Sequence, residues 1–180
     1  MVTNAFSQRV HTIIHMSNTD KTWTGNLLLH EHHDSDQMVE QLCAAFNQAP
    51  FFQHVGMQMR VRQGQIEGYF EMQPYLIGNK AFQILHGGVA ATFLDSVGGV
   101  IAMAEVYHRR HVEDLHETSK KISRLATVDM RVDYLAPGRG QYFIARGKIL
   151  RFGRKGCTVR MTMVNDEEKA IATAIASYAY

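Results

Sequence analysis

Asp95 is the only ionisable side chain between His86 and Glu105, in the otherwise apolar run His86-Gly87-Gly88-Val89-Ala90-Ala91-Thr92-Phe93-Leu94-Asp95-Ser96-Val97-Gly98-Gly99-Val100-Ile101-Ala102-Met103-Ala104. A carboxylate is costly to bury without partners. Two uses for it stand open. It caps a neighbouring element or joins an internal ion pair, or it serves as a general base or nucleophile beside an electrophile. The His86-Gly87-Gly88 start would supply the polarising groups, because the first N–H groups of a helix are unpaired and carry the positive end of its dipole.

Other candidate chemistry is sparse. His-Gly-Gly lacks the Walker spacing and the Lys-Ser/Thr of a phosphate loop. His30-Glu31-His32-His33 lacks the spacing that sets two imidazoles on one helical face, and His108, His111 and His116 fall in a charged connection read as a loop. No native metal site is expected from either group. A Ser/His/Asp triad has no nucleophile elbow here. Arg151, Arg154 and Lys155 crowd one hairpin turn, with Arg139 on another; they are either solvated charges or a grip for phosphate.

The elements that must position these residues follow from hydrophobic period. The chain has 180 residues, enough for one domain and a short appendage, and its 46% hydrophobic and 20% charged residues exclude a largely disordered chain. A net charge of +2 gives no bulk electrostatic case for a nucleic-acid or membrane-surface binder. Cys43 and Cys157 define no disulfide framework or cysteine metal site. The N-terminal residues lack the apolar core of a signal peptide, and the apolar stretch at 97–106 is interrupted by Gly98, Gly99 and Glu105, so a cytoplasmic location is expected.

Residues 1–36 read as a weakly ordered extension, and the domain as 37–180. Met38, Val39, Leu42, Cys43 and Phe46 predict a short amphipathic helix that stops before Pro50. Ile66, Gly68, Phe70 and Met72 alternate with polar residues, a half-buried strand paired with 56–62 across Gln63-Gly64. A loop follows to about Leu85. Residues 86–104 predict a long helix surrounded by protein, apolar on every face. Its Gly98-Gly99 pair, costing about 1 kcal/mol each relative to Ala, implies close approach of another backbone. Val128, Met130, Val132 and Tyr134 alternate with Thr127, Asp129, Arg131 and Asp133, and three more strands joined by short turns complete the chain. The fold class is therefore α+β, with a curved antiparallel sheet wrapped around one long central helix.

That helix sets a distance problem. Gly88 and Asp95 are seven residues apart, about 10 Å along the axis at 1.5 Å per residue. A base acts from about 3 Å, so one helix cannot bring its own N-terminal amides and its own Asp95 to one small reacting centre. Two antiparallel copies on a two-fold axis can.

Leu85-His86-Gly87-Gly88-Val89 with Asp95 nine residues after the histidine resembles the signature of PaaI-type hotdog-fold acyl-CoA thioesterases. The resemblance spans Met38 to Tyr180 and is similar to the YigI-like branch. It includes Gly78-Asn79, Arg131-Val132-Asp133-Tyr134-Leu135-Ala136-Pro137-Gly138-Arg139-Gly140 and Ile171-Ala172-Thr173-Ala174. It implies a hotdog fold, a homodimer or dimer of dimers, and hydrolysis of medium- or long-chain fatty acyl-CoA without metal or other cofactor. By resemblance Asp95 is the general base or nucleophile, the Gly87 amide the oxyanion donor, and His86 the residue that holds the turn. Asn79 matches the Asn that precedes the motif in relatives, and Thr127 a hydroxyl that orients water. Gly88, Arg151, Arg154 and Lys155 fall on substrate-binding positions, the last three beside the nucleotide phosphates. Two alternatives are a non-catalytic acyl-CoA sensor on the same fold and a hotdog dehydratase or hydratase.

Overall fold

A computed structural model of the protein describes residues 27–110 and 115–180, with side chains for 37–109 and 116–180. Most of the expected N-terminal extension, the His30–His33 cluster and His111 therefore lie outside the described residues or side chains.

Helix α1 (Leu27–Asn47) starts ten residues ahead of Gln37 and is much longer than the short helix expected. Pro50 does not end the helical region. It opens a second helix, α2 (Pro50–Val55), where its missing N–H costs nothing, and Gly56 closes that helix at φ 78°. Asn47 ties the end of α1 to the sheet, its side-chain amide bonding both main-chain groups of Met59 at 2.9 and 2.7 Å.

Strands β1 (Gln58–Arg62) and β2 (Gln65–Glu71) form the expected hairpin. The region read as a loop contains a 3-10 turn (Pro74–Leu76) and a small ladder of β3 (Ile77–Asn79) with β4 (Ile84–Leu85). The central helix α3 (Gly87–Arg110) and α4 (Leu115–Arg124) follow, then β5 (Ala126–Tyr134), β6 (Tyr142–Phe152), β7 (Gly156–Asn165) and β8 (Ala170–Ala179). The charged connection expected as a loop is thus largely helical, with His108 on the last turns of α3 and His116 on α4. Among its described side chains the inner face of α4 buries Thr118, Ser119 and Ile122, against a strongly charged outer face.

The six-stranded sheet runs β1-β2-β6-β7-β8-β5, antiparallel throughout. Its inner face closes on α3. Phe93 of the helix meets Phe70 edge-on at 4.7 Å between centroids, and Phe70 stacks on Phe143 at 5.1 Å. Each such buried ring contributes about 2–3 kcal/mol by area. The helix lies close enough that a Cβ on Gly68 would stand 2.4 Å from a Val97 methyl. On β8 the inward residues Ala172, Ala174 and Ala176 are small and buried. On the opposite side of the sheet Glu67, only 4% exposed, accepts from Arg60 and Arg146 on the two flanking strands.

The face of α3 turned from the sheet is covered less completely. Ala90, Phe93, Leu94, Val97, Val100 and Ile101 are buried, whereas Gly88 is exposed and Thr92, Asp95, Ser96 and Gly99 are half-buried.

Candidate active site

Strand β4 runs into α3 through His86. Its main-chain N–H donates to the Leu76 carbonyl at 2.9 Å, and its Nδ1 accepts the Gly88 N–H at 2.9 Å. His86 therefore caps the first turn of the helix. Gly78 on β3 makes room for it, since a Cβ there would come within 2.8 Å of the imidazole. With the Gly88 amide engaged, the Gly87 N–H is the donor of this turn that bonds nothing among the described residues. Tyr134 secures the turn from the other side, its hydroxyl donating to the Gly87 carbonyl at 3.0 Å.

Asp95 stands two helical turns further on, half-buried, with no cation bound to it among the described residues. Its partner is Thr127, whose hydroxyl donates to Oδ1 at 2.8 Å. Strict alternation would set Thr127 on the outer face of β5 with Asp129. A bulge at Val128 changes this: Thr127 pairs with Tyr178 and Asp129 with Ser177, leaving Val128 as the extra residue. Tyr178, Ala176 and Ala174 are buried inner-face residues, so Thr127 joins Met130 and Val132 on the helix side. Val128 is 68% exposed, contrary to its expected place in the half-buried set.

Of the Gly98-Gly99 pair, Gly98 has a cause within the chain. Within this chain Gly98 admits a side chain rather than a backbone, because a Cβ there would stand 2.1 Å from the Tyr178 hydroxyl and 2.9 Å from the Met161 sulfur. That hydroxyl donates to the main-chain carbonyl of Asp95 at 3.1 Å. Burial, and next the negative charge of Asp95, push the Tyr178 phenol well above its ordinary range, so it remains a neutral donor.

Asn79 has a local task. Its Oδ1 accepts the Ala81 and Phe82 N–H groups at 3.1 and 3.3 Å, fixing the turn between β3 and β4, and it makes no bond to Asp95, Thr127 or His86. Arg151, Arg154 and Lys155 do come together. With Thr158, Ser177 and Tyr178 they line an open groove of about 290 Å³ at the β6–β7 turn. Among the described residues no cluster of His, Cys, Asp and Glu could hold a metal ion. Sequence pattern does not single out Tyr134 and Tyr178 for these roles. Their alternation marks the inner face, but a hydroxyl's partner is set by tertiary packing.

The sheet wraps the helix that carries both the His-Gly-Gly start and the half-buried carboxylate. Residues 82–172 match the thioesterase superfamily model, and the chain belongs to that superfamily, with its hotdog fold. It is similar to the medium/long-chain acyl-CoA thioesterase YigI of Escherichia coli K12, 38% identical over 130 residues, covering 72% of this chain and 84% of that one. The YigI of Salmonella typhimurium is 37% identical over the same shares. A crystal structure from Shewanella oneidensis, described as related to the thioesterase superfamily, superposes with a TM-score of 0.76 at 36% identity, covering 81% of this chain and 97% of that chain. By length and composition Gly87–Arg109 is apolar enough to cross a membrane, yet it is the helix that the sheet wraps.

Proposed function

We propose that the protein hydrolyses medium- and long-chain fatty acyl-CoA to free fatty acid and CoA in the cytoplasm, with Asp95 activating water. The observation that carries this reading is the Thr127–Asp95 hydrogen bond, which holds a half-buried carboxylate that pairs with no cation among the described residues. The Thr127 oxygen keeps lone pairs that can accept from water while its hydrogen is on Asp95. A thioester is already an activated acyl donor, so a carboxylate-activated water and an amide donor suffice. The Gly87 N–H is that donor, and losing one such group typically costs about 3 kcal/mol.

The reacting centre is built from two copies of the chain. Gly88 and Asp95 lie on one continuous helix, about 10 Å apart along its axis, which keeps one chain's donor and base from a common centre. Support for pairing comes from β5, an edge strand whose outer side has no partner strand among the described residues, and from Tyr134 and Leu135 at its end, each 57% exposed. The half-covered face of α3 bearing Gly88, Thr92, Asp95 and Gly99 adds to it. The groove of Arg151, Arg154 and Lys155 receives the phosphates of CoA.

The test is release of CoA thiol from a series of acyl-CoA thioesters of increasing chain length. Turnover rising from short to medium or long chains is expected. Saturable binding without thiol release would overturn hydrolysis and favour an acyl-CoA sensor.

A further inference from the structure

Thr127 and Tyr178 occupy one rung of the β5–β8 ladder, and both reach Asp95 from it. One hydroxyl holds the carboxylate at 2.8 Å and the other holds the main-chain carbonyl at 3.1 Å. We propose that Tyr178 is a positioning residue for hydrolysis: by bonding the Asp95 carbonyl, it fixes the rotation of α3 that aims the carboxylate at the reacting water. The proposal rests on the reading of Asp95 as the catalytic carboxylate.

Three features support a task beyond filling the core. The phenol is buried to 2% exposure in a layer otherwise made of Ala172, Ala174 and Ala176, so a polar atom is carried to the helix at a place where alanine serves elsewhere on the strand. Gly98, which weakens a helix interior, stands where the hydroxyl would meet a Cβ. The carbonyl it bonds belongs to Asp95 itself, so a shift of the phenol is passed to the carboxylate through three covalent bonds, with no intervening side chain. Because the phenol stays neutral, the donor is present throughout the working pH range.

The experiment compares Tyr178→Phe with wild type and Asp95→Asn, reading kcat and KM separately, with thermal melting of each. Tyr178→Phe keeps the ring and removes only the donor. The expected result is a kcat lower by about tenfold, a KM within about twofold of wild type, and a cooperative melt. Gly98→Ala, which displaces the hydroxyl while leaving it present, is expected to lower kcat in the same sense. A Tyr178→Phe kcat within twofold of wild type, alongside an inactive Asp95→Asn, overturns the positioning role alone. A fall in kcat only in step with lost melting amplitude overturns it as well, because the ring would then be merely structural. Full activity in Asp95→Asn would instead overturn the catalytic reading beneath it.

Discussion

The Thr127 hydroxyl donates to Oδ1 of Asp95 at 2.8 Å, joining the edge strand of the sheet to the middle of the central helix. The bond exists because β5 carries an extra residue at Val128, which turns Thr127 inward while Asp129 stays outward. A hydrogen bond to a charged group contributes about 1.5–3 kcal/mol, enough to decide where a carboxylate points. Thr127→Val should therefore lower kcat by about tenfold or more, whereas Thr127→Ser, which keeps the hydroxyl, should stay within about threefold of wild type. Steady-state thiol release checks both.

The Gly87 amide admits a sharper substitution. Gly87 is the first residue of α3, and proline is tolerated there because that N–H has no partner in the helix. Gly87→Pro deletes the donor and should reduce kcat by about 100-fold, while Gly87→Ala should be mild, since its Cβ meets only the exposed Tyr134 ring at 3.2 Å.

These two substitutions also test whether the site is shared between copies. Co-expressed Asp95→Asn and Gly87→Pro chains would, in mixed dimers, form one doubly damaged centre and one intact centre. Random pairing should then restore about a quarter of wild-type activity, whereas a site within one chain would leave the mixture inactive.

Much of this arrangement is legible in the amino-acid sequence. A lone carboxylate inside an apolar stretch, opened by His-Gly-Gly, marks α3 as a buried helix and Asp95 as a candidate base, with a cap or ion pair left open by residue types alone. Period-2 alternation locates β2, β5 and β7, and the turns between them set off β1, β6 and β8. Other features are set by tertiary structure. The bulge at Val128 reverses the face of Thr127 without leaving a glycine or proline as a sign. Helix α4 buries the hydroxyls of Thr118 and Ser119 beside Ile122, and its charged outer face makes the segment read as a connection. Gly98 answers a phenol 80 residues away in sequence, and local pattern cannot tell that from a helix-packing glycine. Asn79 fits the resemblance by position, yet its carbonyl oxygen is committed to the β3–β4 turn.

The buried thiols make a prediction about pH and stability. Burial raises Cys43 to about 11, with the charge of Glu40 adding to it. Cys157 is raised to about 11 by burial and then by Glu105. In the unfolded chain both thiols lose protons near 9.0, so between pH 9 and 11 the unfolded state binds fewer protons than the native state. The contribution is fully present below pH 9 and declines above it. Denaturant midpoints should fall from pH 9 to 11, and Cys43→Ala with Cys157→Ala should flatten that decline. An equal decline in the double variant would show that other groups cause it.

The measurement that bears most directly on the whole account is thiol release by Asp95→Asn at saturating acyl-CoA. Asparagine keeps the shape and can still accept from Thr127, but it cannot take a proton from water. General-base catalysis of this kind contributes about 10²- to 10⁴-fold, so kcat should fall by at least about 100-fold with KM little changed. A well-folded Asp95→Asn protein that turns over within about twofold of wild type would contradict the account.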